Sequence, residues 1–102
     1  MMLVPTANRD AAEALIGGLL AGGVKHAVLS PGSRSAPLVL AVARAAARGK
    51  LSVHTILDER TAAFFALGIA RTSGLPVVLI ATSGSAGAHF HPAVIEACEA
   101  RV

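Results

Sequence analysis

The sequence predicts an α/β fold: a parallel sheet of three strands flanked by helices. Three observations carry that expectation. Helical and extended patterns alternate, one leading helix and then three strand–helix units, which is the order that gives a parallel sheet with right-handed crossovers. The third extended run, Val77-Val78-Leu79-Ile80-Ala81, is apolar without alternation, as expected of a strand covered on both faces by helices. The small polar residues gather at the strand-to-helix junctions, while the helix-to-strand junctions hold little beyond Gly, Lys and Pro.

Each element has a local reason. Thr6 or Asn8 can start the first helix, and Ala12, Leu15, Ile16, Leu19 and Leu20 recur at the spacing of one helical face. Gly22-Gly23 ends it. Residues 26–30 form a short apolar strand, and 31–34 a loop. Ser35 can cap the next helix and Pro37 suits its first turn, so that helix runs to about Arg48. Gly49-Lys50 turns the chain into a strand over 52–57. Asp58 can cap the third helix, its carboxylate accepting from exposed backbone N–H groups. This helix runs from Glu59 to about Thr72 and is closed by Ser73-Gly74. It is apolar nearly all round, which predicts burial on more than one side. After the third strand, residues 82–87 make a small-residue loop, and a last helix spans about 92–100.

Composition bounds the function classes. A chain of 102 residues is at most one small domain. At 54% hydrophobic and 15% charged it is not disordered. Alanine contributes 22 residues, so elements pack closely but bury little area each, and extra burial against a partner is expected. The nine basic residues are scattered and do not interleave with aromatics, so the net charge of +3 gives no specific support for nucleic-acid binding. One cysteine, Cys98, excludes a disulfide framework and reads as a reduced, buried thiol. The amino terminus lacks a basic-then-apolar targeting pattern, and the longest stretch without charge is broken by turn residues, so no membrane-spanning helix is expected. A cytoplasmic protein is the simplest expectation. Three strands make a narrow sheet, and Arg101-Val102 falls where a fourth would begin, so the chain reads as a fragment of a longer protein.

In a parallel sheet every strand-to-helix loop lies on one edge, the edge where ligands bind in open α/β folds. Here those loops are residues 30–35, Asp58-Glu59 and 82–88. Glu59 falls in the first turn of its helix, where a carboxylate either complements the helix dipole or faces a ligand. Ser30-Pro31-Gly32-Ser33-Arg34-Ser35 offers N–H groups, hydroxyls and a guanidinium ahead of a helix, which suits a carboxylate or phosphate. The same loop reads equally as a Pro-Gly turn with Arg34 in solvent. Its spacing is not that of a Walker motif. Thr82-Ser83-Gly84 is either an ordinary turn or a place where a flat ring could approach the backbone. His89 and His91 lack a third metal ligand and read as structural, as do His26 and His54. No Ser-His-Asp or Cys-His arrangement can be placed.

The ordered set Ser30-Pro31-Gly32-Ser33-Arg34-Ser35-Ala36-Pro37-Leu38, Asp58-Glu59-Arg60-Thr61-Ala62-Ala63-Phe64-Phe65-Ala66-Leu67-Gly68, Thr82-Ser83-Gly84-Ser85-Ala86 and Pro92-Ala93-Val94-Ile95-Glu96-Ala97 resembles a known family. It is the amino-terminal, pyrimidine-binding domain, flavodoxin-like in fold, of the thiamine-diphosphate enzymes. Within them the set is similar to the 2-succinyl-5-enolpyruvyl-6-hydroxy-3-cyclohexene-1-carboxylate synthases of menaquinone biosynthesis. The resemblance implies an enzyme that decarboxylates 2-oxoglutarate and adds the succinyl carbanion equivalent to isochorismate, a C–C bond-forming transferase. It implies thiamine diphosphate as cofactor, with Mg²⁺ or Mn²⁺ anchoring the diphosphate in a later domain marked by a Gly-Asp-Gly motif that this sequence lacks. Matched by motif, Glu59 is the catalytic carboxyl that bonds to the aminopyrimidine, held protonated by a raised pKa in a buried setting. Ser33 and Arg34 meet a substrate carboxylate, and Thr82, Ser83 and Gly84 line the cofactor pocket. The helix after Glu59 packs across the interface of a homodimer or homotetramer. The family usually reads Thr-Ser-Gly-Thr-Ala and then Asn; here Ser85 and His89 stand at the second Thr and the Asn. The resemblance implies that residues 1–102 alone, the first part of that domain, do not catalyse. Two other readings stand beside it. Acetolactate synthases and 2-oxo-acid decarboxylases share the layout but usually follow the Thr-Ser-Gly turn with Pro-Gly and lack the Ser33-Arg34-Ser35 pattern. A non-catalytic α/β module could bind an anion at residues 30–35 or assemble through its apolar helix.

Overall fold

The computed structural model describes residues 6–102. The first helix, α1 (Thr6–Ala21), is followed by β1 (His26–Leu29), a 3₁₀ turn (Ser33–Ser35) and α2 (Ala36–Ala47). Next come β2 (Ser52–Thr55), α3 (Glu59–Ser73), β3 (Val78–Ile80), a 3₁₀ segment (Gly84–Phe90) and α4 (His91–Ala100). The predicted class is the observed one: three parallel strands, in the order β2-β1-β3, flanked by helices. The amino-terminal stretch read for a targeting pattern begins with residues 1–5, which lie outside the described residues. No described helix is long and apolar enough to cross a membrane.

Strand β1 is the centre. It pairs Val28 with His54 on one side and with Leu79 on the other. Its successive side chains point to opposite faces, and both faces are covered. Ala27 and Leu29 pack with Ala12 and Ile16 of α1, Ala41, Val42 and Ala45 of α2, and Ile80. On the other face Val28 packs with Ala62 and Ala66 of α3. Alanine at 12, 41, 45, 62 and 66 lets the helices approach closely, as the composition suggests.

The strands are shorter than the patterns suggest. Residue 31 is proline, which has no N–H to continue the ladder, so β1 has only four residues to offer its neighbours. Ile56 still donates its N–H to Leu29 O at 2.9 Å, but Leu57 is beyond the ladder and 83% exposed. The apolar third run is covered only in part: Ile80 is buried, while Val77, Val78 and Leu79 are half-buried on the edge of the sheet.

Four further expectations are corrected. Leu15 is 52% exposed rather than part of the buried face of α1. The helix is rolled toward α2, where Glu13 pairs with Arg44, and this leaves Leu15 at the solvent margin. That guanidinium, hydrogen-bonded to the carboxylate, holds Glu13 below the usual carboxylate range. Ser35 occupies the N-cap position of α2, but its side chain does not cap; it turns back to Gly32. Cys98 is exposed, because α4 buries only Ala93 and presents Cys98 on its outer side. The loop expected at residues 82–87 is wound into 3₁₀ turns from Gly84 to Phe90.

Helix α3 is buried on two sides and open on a third. It rests on the sheet through Ala62 and Ala66 and against the second 3₁₀ segment and α4 on its flank, where Ala63 is buried. Phe64 and Phe65 remain 37% and 43% exposed. Substituting Ile16 with Ala is expected to cost about 2–5 kcal/mol in denaturant unfolding. Leu15→Ala should stay within about 0.5 kcal/mol. Equal losses at the two positions would contradict the roll of α1.

Candidate functional site

The three strand-to-helix loops meet at the carboxyl edge of the sheet, and Ser30 fastens them. Its backbone N–H donates to Ile80 O at 2.8 Å, and its hydroxyl donates to Ile56 O at 2.6 Å. Ser30 is buried, and its two donors tie the end of β1 to the segments that lead into both other loops. This residue was visible in the sequence only as the start of a Ser-Pro-Gly turn. The signal for its role is the proline after it, which obliges the ladder to end at that position.

Gly32 is the second junction. Ser35 Oγ donates to Gly32 O at 2.9 Å and accepts from the Gly32 N–H at 3.2 Å, closing the first loop on itself. The loop then lies directly against the third. A Cβ built on Gly32 would stand 2.5 Å from Thr82 Cβ and 2.6 Å from its Oγ1. Only glycine permits that approach. Gly84, at the start of the 3₁₀ segment, has φ 75, in the left-handed region, and open space where its Cβ would stand.

The second loop is set by Asp58. Its carboxylate accepts from the Thr61 backbone N–H at 2.8 Å and from the Thr61 hydroxyl at 2.6 Å, the predicted N-cap of α3. The Thr61 hydroxyl and then its N–H hold Asp58 below the ordinary carboxylate range, with a smaller contribution from the charge of His89. The 3₁₀ segment that carries His89 packs against α3. Glu59 is therefore the first residue of α3 and lies on the same edge as the other two loops. It is half-buried, and among the described residues its carboxylate has no hydrogen-bond or ion-pair partner.

Of the other residues singled out from sequence, Ser33, Arg34, Ser83 and Gly84 are exposed at this edge and Thr82 is half-buried against Gly32. The loops that carry them are joined through Ser30 and Gly32. Glu59 is thus half-buried on the edge that carries the Gly32 and Gly84 turns, and a Cβ at Gly84 would meet open space. Among the described residues no group of three or more His, Cys, Asp or Glu could hold a metal ion. A concavity of about 680 Å³ lies elsewhere, between α3, β3 and α4, lined by apolar groups such as Leu67, Leu79 and Val94. It is the open flank of an edge strand and holds none of the residues above.

Two predictions follow from these contacts. Gly32→Ala should cost about 1–3 kcal/mol of stability through the clash with Thr82. Adding Thr82→Gly should recover much of it, whereas Thr82→Ala, which keeps its Cβ, should not; recovery by Thr82→Ala would contradict the packing. Asp58→Ala should raise hydrogen exchange at Thr61 and Ala62 and lower the melting temperature. Because the folded-state pKa of Asp58 is depressed, its contribution is complete above the ordinary value near 3.8 and is lost as pH falls below it. A wild-type minus variant difference that grows with acid would contradict the cap.

Residues 9–102 match the family described as "Thiamine pyrophosphate enzyme, N-terminal TPP binding domain". The chain is 55% identical over 91 residues to a protein of Myxococcus xanthus, covering 89% of this chain and 15% of that one. It is 50% identical over 99 residues to one of Dechloromonas aromatica, 97% of this chain and 18% of the relative. It is 52% identical over 101 residues to one of Haloarcula marismortui, 99% of this chain and 17% of the relative. All three are named 2-succinyl-5-enolpyruvyl-6-hydroxy-3-cyclohexene-1-carboxylate synthase. The chain spans 15–18% of the length of these curated relatives. The chain belongs to the thiamine pyrophosphate enzyme family, through its N-terminal TPP binding domain.

Proposed function

We propose that residues 1–102 are the first part of the pyrimidine-binding domain of a 2-succinyl-5-enolpyruvyl-6-hydroxy-3-cyclohexene-1-carboxylate synthase. The complete protein would be a transferase that decarboxylates 2-oxoglutarate and joins the succinyl unit to isochorismate. The observation that carries this reading is Glu59: a half-buried acid, unpartnered among the described residues, at the start of a helix on the ligand-binding edge. The names of the relatives favour this synthase over acetolactate synthases, 2-oxo-acid decarboxylases and a non-catalytic module.

Thiamine diphosphate, when bound, supplies the electron sink for the decarboxylation. The chain's own contribution is positional. Glu59 holds a proton against a ring nitrogen of the aminopyrimidine and so biases which ring nitrogen carries hydrogen. Thr82, Ser83 and Gly84 line the ring, Gly84 by presenting no side chain. Ser33 and Arg34 receive a substrate carboxylate, Arg34 by charge-assisted hydrogen bonds. Mg²⁺ or Mn²⁺ with the diphosphate belongs to a later domain, so the chain alone is expected to be inactive. The exposed stripe with Phe64 and Phe65 suits the interface of a cytoplasmic homodimer or homotetramer, where a second subunit would deepen the burial of Glu59.

In the full-length protein, Glu59→Gln should lower turnover by roughly 10²–10⁴-fold. It should slow proton exchange at the cofactor's thiazolium carbon while leaving the circular dichroism spectrum unchanged. Near-normal turnover and exchange would refute the assignment.

A further inference from the structure

Away from the three loops, the sheet carries a pair of histidines that the proposed reaction does not use. His26 opens β1 at the end of the sheet opposite the loops, and His54 lies on the edge strand β2. The register sets Val28 opposite His54, so His26 and His54 are diagonal neighbours on the α3 face. His26 Nδ1 and His54 Nε2 are 3.3 Å apart, and the two rings are near-parallel at 22° with centroids 5.5 Å apart. Phe65 of α3 tilts against His54 with centroids at 5.1 Å, which fixes that ring from the helix side. Both histidines are half-buried, and β2 has no further strand beside it among the described residues, so solvent reaches the pair.

We infer that His26 and His54 form a labile two-imidazole site for a nitrogen-preferring divalent ion of the Zn²⁺ class. The spacing is the argument. Two nitrogens bound to one tetrahedral Zn²⁺ at 2.0–2.1 Å stand roughly 3.3–3.4 Å apart. The pair already has that separation, so neither strand need move to bring both nitrogens to one ion. In the metal-free pair one facing nitrogen carries hydrogen and the other accepts it. On binding, that imidazole changes tautomer, its hydrogen passing through solvent to the other ring nitrogen; both facing lone pairs then go to the ion and no net proton is released. Water completes the coordination, because no described group of three or more ligating side chains exists here. Two neutral imidazoles suit Zn²⁺, Ni²⁺ or Cu²⁺ and are poor partners for Mg²⁺ or Ca²⁺, which take oxygen. The site is thus chemically distinct from one that anchors a diphosphate. An ion there would pin β2 to β1 and steady the sheet that supports α3.

The test uses the intact protein, with ZnCl₂ added in a non-chelating buffer. Ring Cε1–H resonances and thermal unfolding are followed together. The expected result is a saturable shift of the His26 and His54 resonances and a rise in melting temperature, both reversed by EDTA and absent with MgCl₂. His26→Gln or His54→Gln should weaken Zn²⁺ binding by roughly tenfold or more, while His89→Gln with His91→Gln should not. The resonance shifts need no variant, so a misfolded substitution does not leave the inference unexamined. Zn²⁺ that leaves both wild-type resonances unmoved, or that binds equally well without the pair, overturns it. Neither result bears on Glu59.

Discussion

Ser30 is the point on which the geometry of the sheet's carboxyl edge depends. One residue at the end of the central strand donates twice, from its N–H to Ile80 O and from its hydroxyl to Ile56 O. Proline follows immediately, so no further rung can form and the chain must leave the sheet there. The three strands are thereby brought to a common finish. The loops that follow start from fixed positions, and Gly32 can close on Thr82 without a side chain between them. A buried hydroxyl that lost this partner would leave Ile56 O unsatisfied in the middle of the edge, a cost well above that of an ordinary surface hydrogen bond. Glu59 follows Ile56 by three residues, as the first residue of the helix that Asp58 caps through Thr61.

Much of this was legible beforehand. The alternation of elements gave the sheet, Gly22-Gly23, Gly49 and Gly74 marked turns, and Asp58 announced the start of α3 by residue type and position. What could not be read were matters of orientation and neighbourhood. Periodicity places Leu15 with Ile16, but only the approach of α2 and the Glu13–Arg44 pair decide where α1 is rolled. Ser35 has the chemistry of a cap, yet its hydroxyl bonds to the Gly32 backbone and makes no cap bond to the helix. Cysteine is usually buried, but α4 has so narrow a buried stripe that Cys98 falls outside it. The roles of Glu59, Ser33, Arg34, Thr82, Ser83 and Gly84 came from the ordered motifs; the structure sets their loops on one edge and leaves their contacts with ligand as proposals.

The alanine-rich composition explains why so much apolar surface remains open. Small side chains bring α2 and α3 close to β1, and the two largest fully buried side chains are valines. The core is therefore dense but thin. The larger apolar groups, Phe64, Phe65, Val94 and Ile95, stand at the periphery. Such a distribution suits a unit that gains further burial from contacts beyond its own core. His54 stands on an edge strand, and its neighbour His26, at the start of the central one, is likewise half-buried.

The central claim is that the acid leading α3 meets the pyrimidine of thiamine diphosphate. A crystal structure of the full-length protein with that cofactor tests it most directly. The account predicts a Glu59 oxygen within hydrogen-bond reach of a pyrimidine ring nitrogen, about 2.6–3.2 Å, with Gly84 beside the ring. A pyrimidine bound elsewhere, with Glu59 facing open solvent, would contradict it.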